Sequence, residues 1–209
     1  RFISNYYGAD HLYTAGVLSD IAKLYYLEGK YEEAQQLLSC AMNIQQGVFG
    51  EGHRLLIPNQ LTMARIYQAK GETKRAEQLL TDALAVEQET LSYYEPLKGE
   101  IYTVLAEVYL NSGRYAAAQF ACDKAINILK ESVGLDSEIT AMALNCQVRL
   151  YVLEGKYNQA YELGCRVLTS LEAAHLPSHP SVITVNETVG MTQEVKTVAQ
   201  VIKTGAMVR

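Results

Sequence analysis

Proline is scarce in this sequence, with four in 209 residues, and glycine is modest at 14, so the composition holds no linker or low-complexity segment. No apolar run approaches the roughly 20 residues that a membrane span requires. Basic residues are not in excess. The 18 Lys and Arg against 23 Asp and Glu give a net charge of −5, which argues against a dedicated nucleic-acid binder, because such domains carry a strong basic surplus. The four cysteines, Cys40, Cys122, Cys146 and Cys165, form neither a CxxC pair nor a zinc-ligand spacing. Catalytic motifs are missing as well: there is no Gly-rich phosphate loop, no GxSxG elbow and no HExxH. Gly155-Lys156 lacks the preceding glycine of a P-loop, and carboxylates such as Glu32, Glu33 and Glu131 fall on solvated helix surfaces. The expectation is a chain that is not an enzyme, with no catalytic residues, no metal and no cofactor.

What remains is ordinary globular composition, 49% hydrophobic and 20% charged, long enough to bury roughly 70% of its unfolded surface without disulfides or metals. Against that background one regularity stands out. Gly29, Gly71, Gly113 and Gly155 recur every 42 residues, as do Tyr25, Tyr67, Tyr109 and Tyr151, and Ala34, Ala76, Ala118 and Ala160. A further column reads Ala41, Ala83, Ala125 and then Val167. Several independent columns holding one period define an internal repeat.

Each period reads as two helices. Leu18, Ile21, Ala22, Leu24 and Tyr25 recur at helical spacing before Gly29, a residue suited to the left-handed conformation that ends a helix. Tyr31, Ala34, Leu37, Leu38, Ala41 and Ile44 then mark a second amphipathic helix. Neither helix buries its apolar stripe alone, so successive hairpins must stack. His11, His53, Glu95, Ser137 and His179 occupy one turn column, with Pro96 and Pro180 directly after two of them. That spacing makes the histidines caps or turn residues rather than metal ligands, and puts the prolines in first helical turns. The cysteines fall inside helical patterns and read as small buried hydrophobes in a reducing, cytoplasmic setting, although Cys146 and Cys165 share a hairpin and leave a disulfide open. Asn186-Glu187-Thr188 matches a glycosylation sequon but lies in an expected helix, where a chance match is the better account.

The columns Ala22, Tyr25, Gly29, Tyr31, Ala34 and Ala41 resemble the tetratricopeptide repeat, and the 42-residue period with its Gly-x-x-His connections resembles the longer variety found in kinesin light chains. The resemblance covers roughly residues 8–197. It departs from the pattern where Thr73 replaces an aromatic, where Val148 replaces a small residue, and where Gln147 stands in an apolar column. It implies an all-α fold, a right-handed α-solenoid of stacked helical hairpins. The expected boundaries are a tail of a preceding helix and turn at 1–11, repeats at 12–53, 54–95, 96–137 and 138–179, and a capping helix or partial repeat at 180–209. The start at Arg1 suggests a trimmed or processed N-terminus.

In such a solenoid the resemblance implies that first helices line a concave groove that holds a peptide or partner protein. The column two residues before the tyrosine reads Lys23, Arg65, Glu107 and Arg149; the column after it includes Tyr26 and Gln68, and flanking columns give Asn111 and Asn145. Three cations in one column point to an acidic segment as ligand. Ser19, Lys23 and Thr62 do not reproduce the Lys and Asn clamp of repeats that grip chaperone C-termini. The function implied is a non-catalytic scaffold or adaptor, without nucleic acid or a membrane span. Its alternatives are a regulatory sensor, or an oligomerisation module that self-associates through the ends of the stack.

Overall fold

A computed structural model describes residues 11–89, 95–174 and 180–204. Among these residues the chain forms nine α-helices and no strand: α1 (Leu12–Leu27), α2 (Tyr31–Phe49), α3 (Ile57–Ala69), α4 (Thr73–Glu89), α5 (Glu95–Asn111), α6 (Tyr115–Ser132), α7 (Glu138–Leu153), α8 (Tyr157–Ala174) and α9 (Pro180–Thr204). A 3-10 turn, Arg54–Leu56, leads into α3. The contacts divide the chain into two compact units, Arg1–Tyr93 and Tyr94–Arg209, which are described separately below. The expected tail at residues 1–10 and the turn residue His179 lie outside the described residues.

The turn column caps helices in both units. His11 Nδ1 accepts a hydrogen bond from the Tyr13 amide at 3.2 Å, and His53 Nδ1 one from the Leu55 amide at 3.3 Å. Ser137 Oγ does the same for the Thr140 amide at 3.2 Å. Each satisfies a donor that the first helical turn leaves unpaired. Pro96 sits second in α5 and Pro180 opens α9, where a missing amide hydrogen costs nothing.

The turns inside the hairpins are equally uniform. Gly29, Gly71, Gly113 and Gly155 have φ between 72° and 77°, the left-handed region that a Cβ disfavours. The residue after each glycine donates its amide to the carbonyl of the column tyrosine: Lys30 to Tyr25, Glu72 to Tyr67, Arg114 to Tyr109 and Lys156 to Tyr151, at 2.8–2.9 Å. This six-to-one bond closes the helix end. In three of the four turns that following residue is a cation, and it lies over the tyrosine ring, Lys30 at 5.4 Å, Arg114 at 4.5 Å and Lys156 at 5.7 Å. Glu28 and Glu154 each hold the lysine at 2.7 Å, and that hydrogen bond raises both ammonium pKa values.

In the first unit Ala22 of α1, Ala34 and Leu38 of α2, and Met63 and Ile66 of α3 form one core cluster. In the second, Val167 and Leu171 of α8 close on Ala141 of α7 and on Val182, Val185 and Val189 of α9. Gln147, which stands in an otherwise apolar column, is buried and matched: it exchanges amide hydrogen bonds with Gln119 of α6 at 3.1 Å and 3.5 Å. The four cysteines are free thiols, so the disulfide left open between Cys146 and Cys165 is not formed.

The glycines divide by conformation. Gly113→Ala and Gly155→Ala are each expected to destabilise by about 1 kcal/mol, the cost of a Cβ in the left-handed region. Gly16, inside α1 with open space where a Cβ would stand, gains up to about 1 kcal/mol as alanine. Opposite shifts of the thermal midpoint in purified variants check this.

Candidate functional site

The sequence places its candidate residues on first helices, and the structure distributes them differently in the two units. In the first unit Lys23 on α1 is exposed and ion-pairs with Asp20 at 3.5 Å, an exposed contact of little energetic weight. Tyr26 is half-buried and turned to its own hairpin, its ring 5.9 Å from that of Tyr31, which is a packing position. Arg65 and Gln68 on α3 are half-buried.

The second unit brings candidates together. Arg149 on α7 donates from its guanidinium to Asn111 Oδ1 at the end of α5, at 2.7 Å. These two residues lie 38 apart in sequence and meet because α5 and α7 are neighbouring first helices. Beside them opens a cavity of about 310 Å³, lined by Leu110, Tyr115, Arg149, Val152, Leu153, Thr188, Met191 and Thr192. α5, α7 and α9 supply every lining residue except Tyr115, the first of α6. The lining is largely aliphatic, with the guanidinium as its one charge. Among the described residues Asn111 is the hydrogen-bonding partner of Arg149 and no carboxylate pairs with it. A neutral amide orients the guanidinium while leaving its charge uncompensated.

Two candidates behave otherwise. Asn145, expected in the groove, is only 5% exposed, because its column faces neighbouring first helices: Ser19, Leu61 and Thr103 in the same column are buried too. Its Oδ1 has no hydrogen-bond partner. Glu107 is half-buried on α5. The sequence reasoning missed Thr188, Met191 and Thr192 of α9, although a signal existed. Met191 is one period beyond Arg149, so the Lys23 column carried forward would have reached the cavity.

No cysteine is among the residues that line this cavity. The Cys122 thiol is pushed up to about 12 by burial, with the Asp123 charge adding to it, and it donates to the Ala143 carbonyl at 3.4 Å. Among the described residues no three His, Cys, Asp or Glu side chains are grouped as metal ligands, and no helix is long and apolar enough to cross a membrane.

Stacked hairpins with a left-handed glycine turn every 42 residues and a cavity between first helices define a helical-repeat protein. Tetratricopeptide-repeat family models match residues 13–89 and 99–132, together more than half the chain. The chain belongs to the tetratricopeptide repeat family. Two crystal structures of a kinesin-light-chain-like protein of Podosopora anserina, with nearly identical TPR-like repeats, are similar in fold. Each has a TM-score of 0.65, at 22% and 24% identity, over 91% of this chain and 90% of that one. BtubC (BKLC) from P. vanneervenii is also similar, with a TM-score of 0.61 at 18% identity over 92% of this chain and 81% of its own. No curated protein sequence matches the chain.

Thiol accessibility follows from the burial pattern. At pH 7.5 in the native protein, Ellman's reagent is expected to modify exposed Cys40 within minutes and to reach Cys122 only after unfolding. Mass mapping of the labelled peptides checks the assignment.

Proposed function

We propose that this chain is a non-catalytic interaction scaffold that holds an acidic segment of a partner protein against its first helices, with the Arg149 cavity as the principal contact. The observation that carries the reading is the Arg149 guanidinium, fixed by Asn111 at an aliphatic cavity and answered by no carboxylate among the described residues. A guanidinium oriented in this way pairs with a ligand carboxylate through two parallel hydrogen bonds. The aliphatic wall of Leu110, Val152 and Leu153 accepts an apolar side chain next to that carboxylate, the usual division of labour in a recognition pocket. Membership of the tetratricopeptide family, whose repeats are interaction modules, supports the scaffold role. Lys23 and Arg65, in the same column on α1 and α3, give the first unit a cationic position of its own.

Titrating a fluorescent acidic peptide library into the protein tests this. Arg149→Ala is expected to weaken the best binder by about 10- to 100-fold, the worth of one charge-assisted contact. Arg149→Lys, which keeps the charge but not the two parallel hydrogen bonds, weakens it by less, and raising salt from low to high ionic strength lowers affinity throughout. Wild-type affinity in both variants would remove the assignment.

A further inference from the structure

The lining of the Arg149 cavity has a covered base and an open rim. Leu110, Thr188 and Thr192 are at most 6% exposed, whereas Tyr115, Leu153 and Met191 are 49%, 53% and 59% exposed. The guanidinium belongs to the mouth, because the Asn111 side chain that holds it at 2.7 Å is exposed. At about 310 Å³ the space lies at the lower end of the range that encloses a small organic ligand. It has room for on the order of ten non-hydrogen atoms.

The polar groups at hand are few and already committed. Thr192 Oγ1 donates to the Thr188 carbonyl at 2.7 Å. At the ends of α5 and α7 the Leu110 and Val152 carbonyls accept from the Gly113 and Gly155 amides at 3.1 Å and 3.0 Å. Glu154, next to the lining Leu153, is held by Lys156 at 2.7 Å. The guanidinium is the one charge in the lining. A phosphate or a dicarboxylate would bring a second negative charge that no lining residue meets. A free amino acid would bring an ammonium group that none meets. A monocarboxylate with an aliphatic tail leaves nothing over: its head pairs with the guanidinium and its tail covers Leu110, Val152 and Leu153.

We propose that the cavity binds a free medium-chain aliphatic carboxylate, and that this ligand competes with the acidic partner segment for Arg149. The competition rests on the partner reading of the same cavity; the binding of the free carboxylate stands on the lining alone.

Isothermal titration of the full 209-residue chain with acetate, butanoate, hexanoate, octanoate and decanoate tests the binding. Affinity is expected to rise about three- to fourfold for each added methylene and to level off once the tail fills the cavity, near octanoate. Arg149→Gln lowers octanoate affinity about 10-fold or more. Leu153→Asp, at an exposed position, does the same by setting a carboxylate one helical turn from Arg149. Octan-1-ol, with the same tail and no charge, binds at least about 10-fold more weakly than octanoate. In a second arm octanoate is added to the protein carrying its fluorescent acidic peptide, and the peptide is expected to be displaced. Equal octanoate affinity in wild type and Arg149→Gln overturns the proposal, as does an affinity that keeps climbing past decanoate, the mark of adsorption to open surface. Octanoate binding that leaves peptide affinity unchanged overturns the competition. Peptide binding that needs Arg149, in a protein that does not bind octanoate, overturns the free ligand and keeps the scaffold reading; octanoate binding without peptide binding does the reverse.

Discussion

Close approach of the two helices within each hairpin is the constraint on which the remaining structure depends. It is set by small residues with no solvent exposure at all: Ala22, Ala34 and Ala41 in the first hairpin, Ala64, Ala76 and Ala83 in the second, Ala106, Ala118 and Ala125 in the third. At such separations dispersion contacts are numerous and a single added methyl is felt. The last hairpin shows that volume, rather than alanine as such, is what the site requires. There Val148 stands in the Ala22 column, and Gly164 stands where Leu38, Leu80 and Cys122 stand elsewhere. A Cβ on Gly164 would lie 3.7 Å from Val148 Cγ1 and far closer to Val189. The larger residue on one helix is offset by the smaller one on its partner.

Once the hairpins are fixed, the first helices of the second unit stand side by side, and that arrangement makes the Arg149 cavity. Neither the cation nor the apolar wall is notable alone. What distinguishes the place is that α5 supplies a neutral amide to aim the guanidinium while α9 closes the far side with Thr188, Met191 and Thr192. The selectivity for acidic ligands proposed for it thus rests on an interhelix hydrogen bond between residues 38 apart.

Most of the fold was legible in the sequence because a repeat writes the same rule several times. The turn glycines with their positive φ, the capping His11, His53 and Ser137, and the all-helical hairpins follow from column positions that local chemistry determines. The site was legible only in part. A column tells which residues share a helix face, so Arg149 and Asn111 could be placed on neighbouring first helices. It does not tell how deeply a face is covered, so Asn145 passed for a groove residue although its column is buried on α1, α3, α5 and α7. Gln147, out of place in its own column, becomes intelligible only when Gln119 is seen opposite. The contribution of α9 was missed because its columns had drifted far enough that the cation had become Met191.

The hydrogen bond between Asn59 and Gln45 has a consequence for how such an array evolves. In the second unit the residues at those columns are Ala143 with Leu129 and Val185 with Leu171. A duplication or recombination that set α3 after α6 would leave the Asn59 amide facing Leu129, a stranded buried group costing about 1–3 kcal/mol. The reverse graft would strand Gln45 against Ala143. The hairpins look alike, yet their seams are keyed, and the order in which they follow one another is itself inherited information.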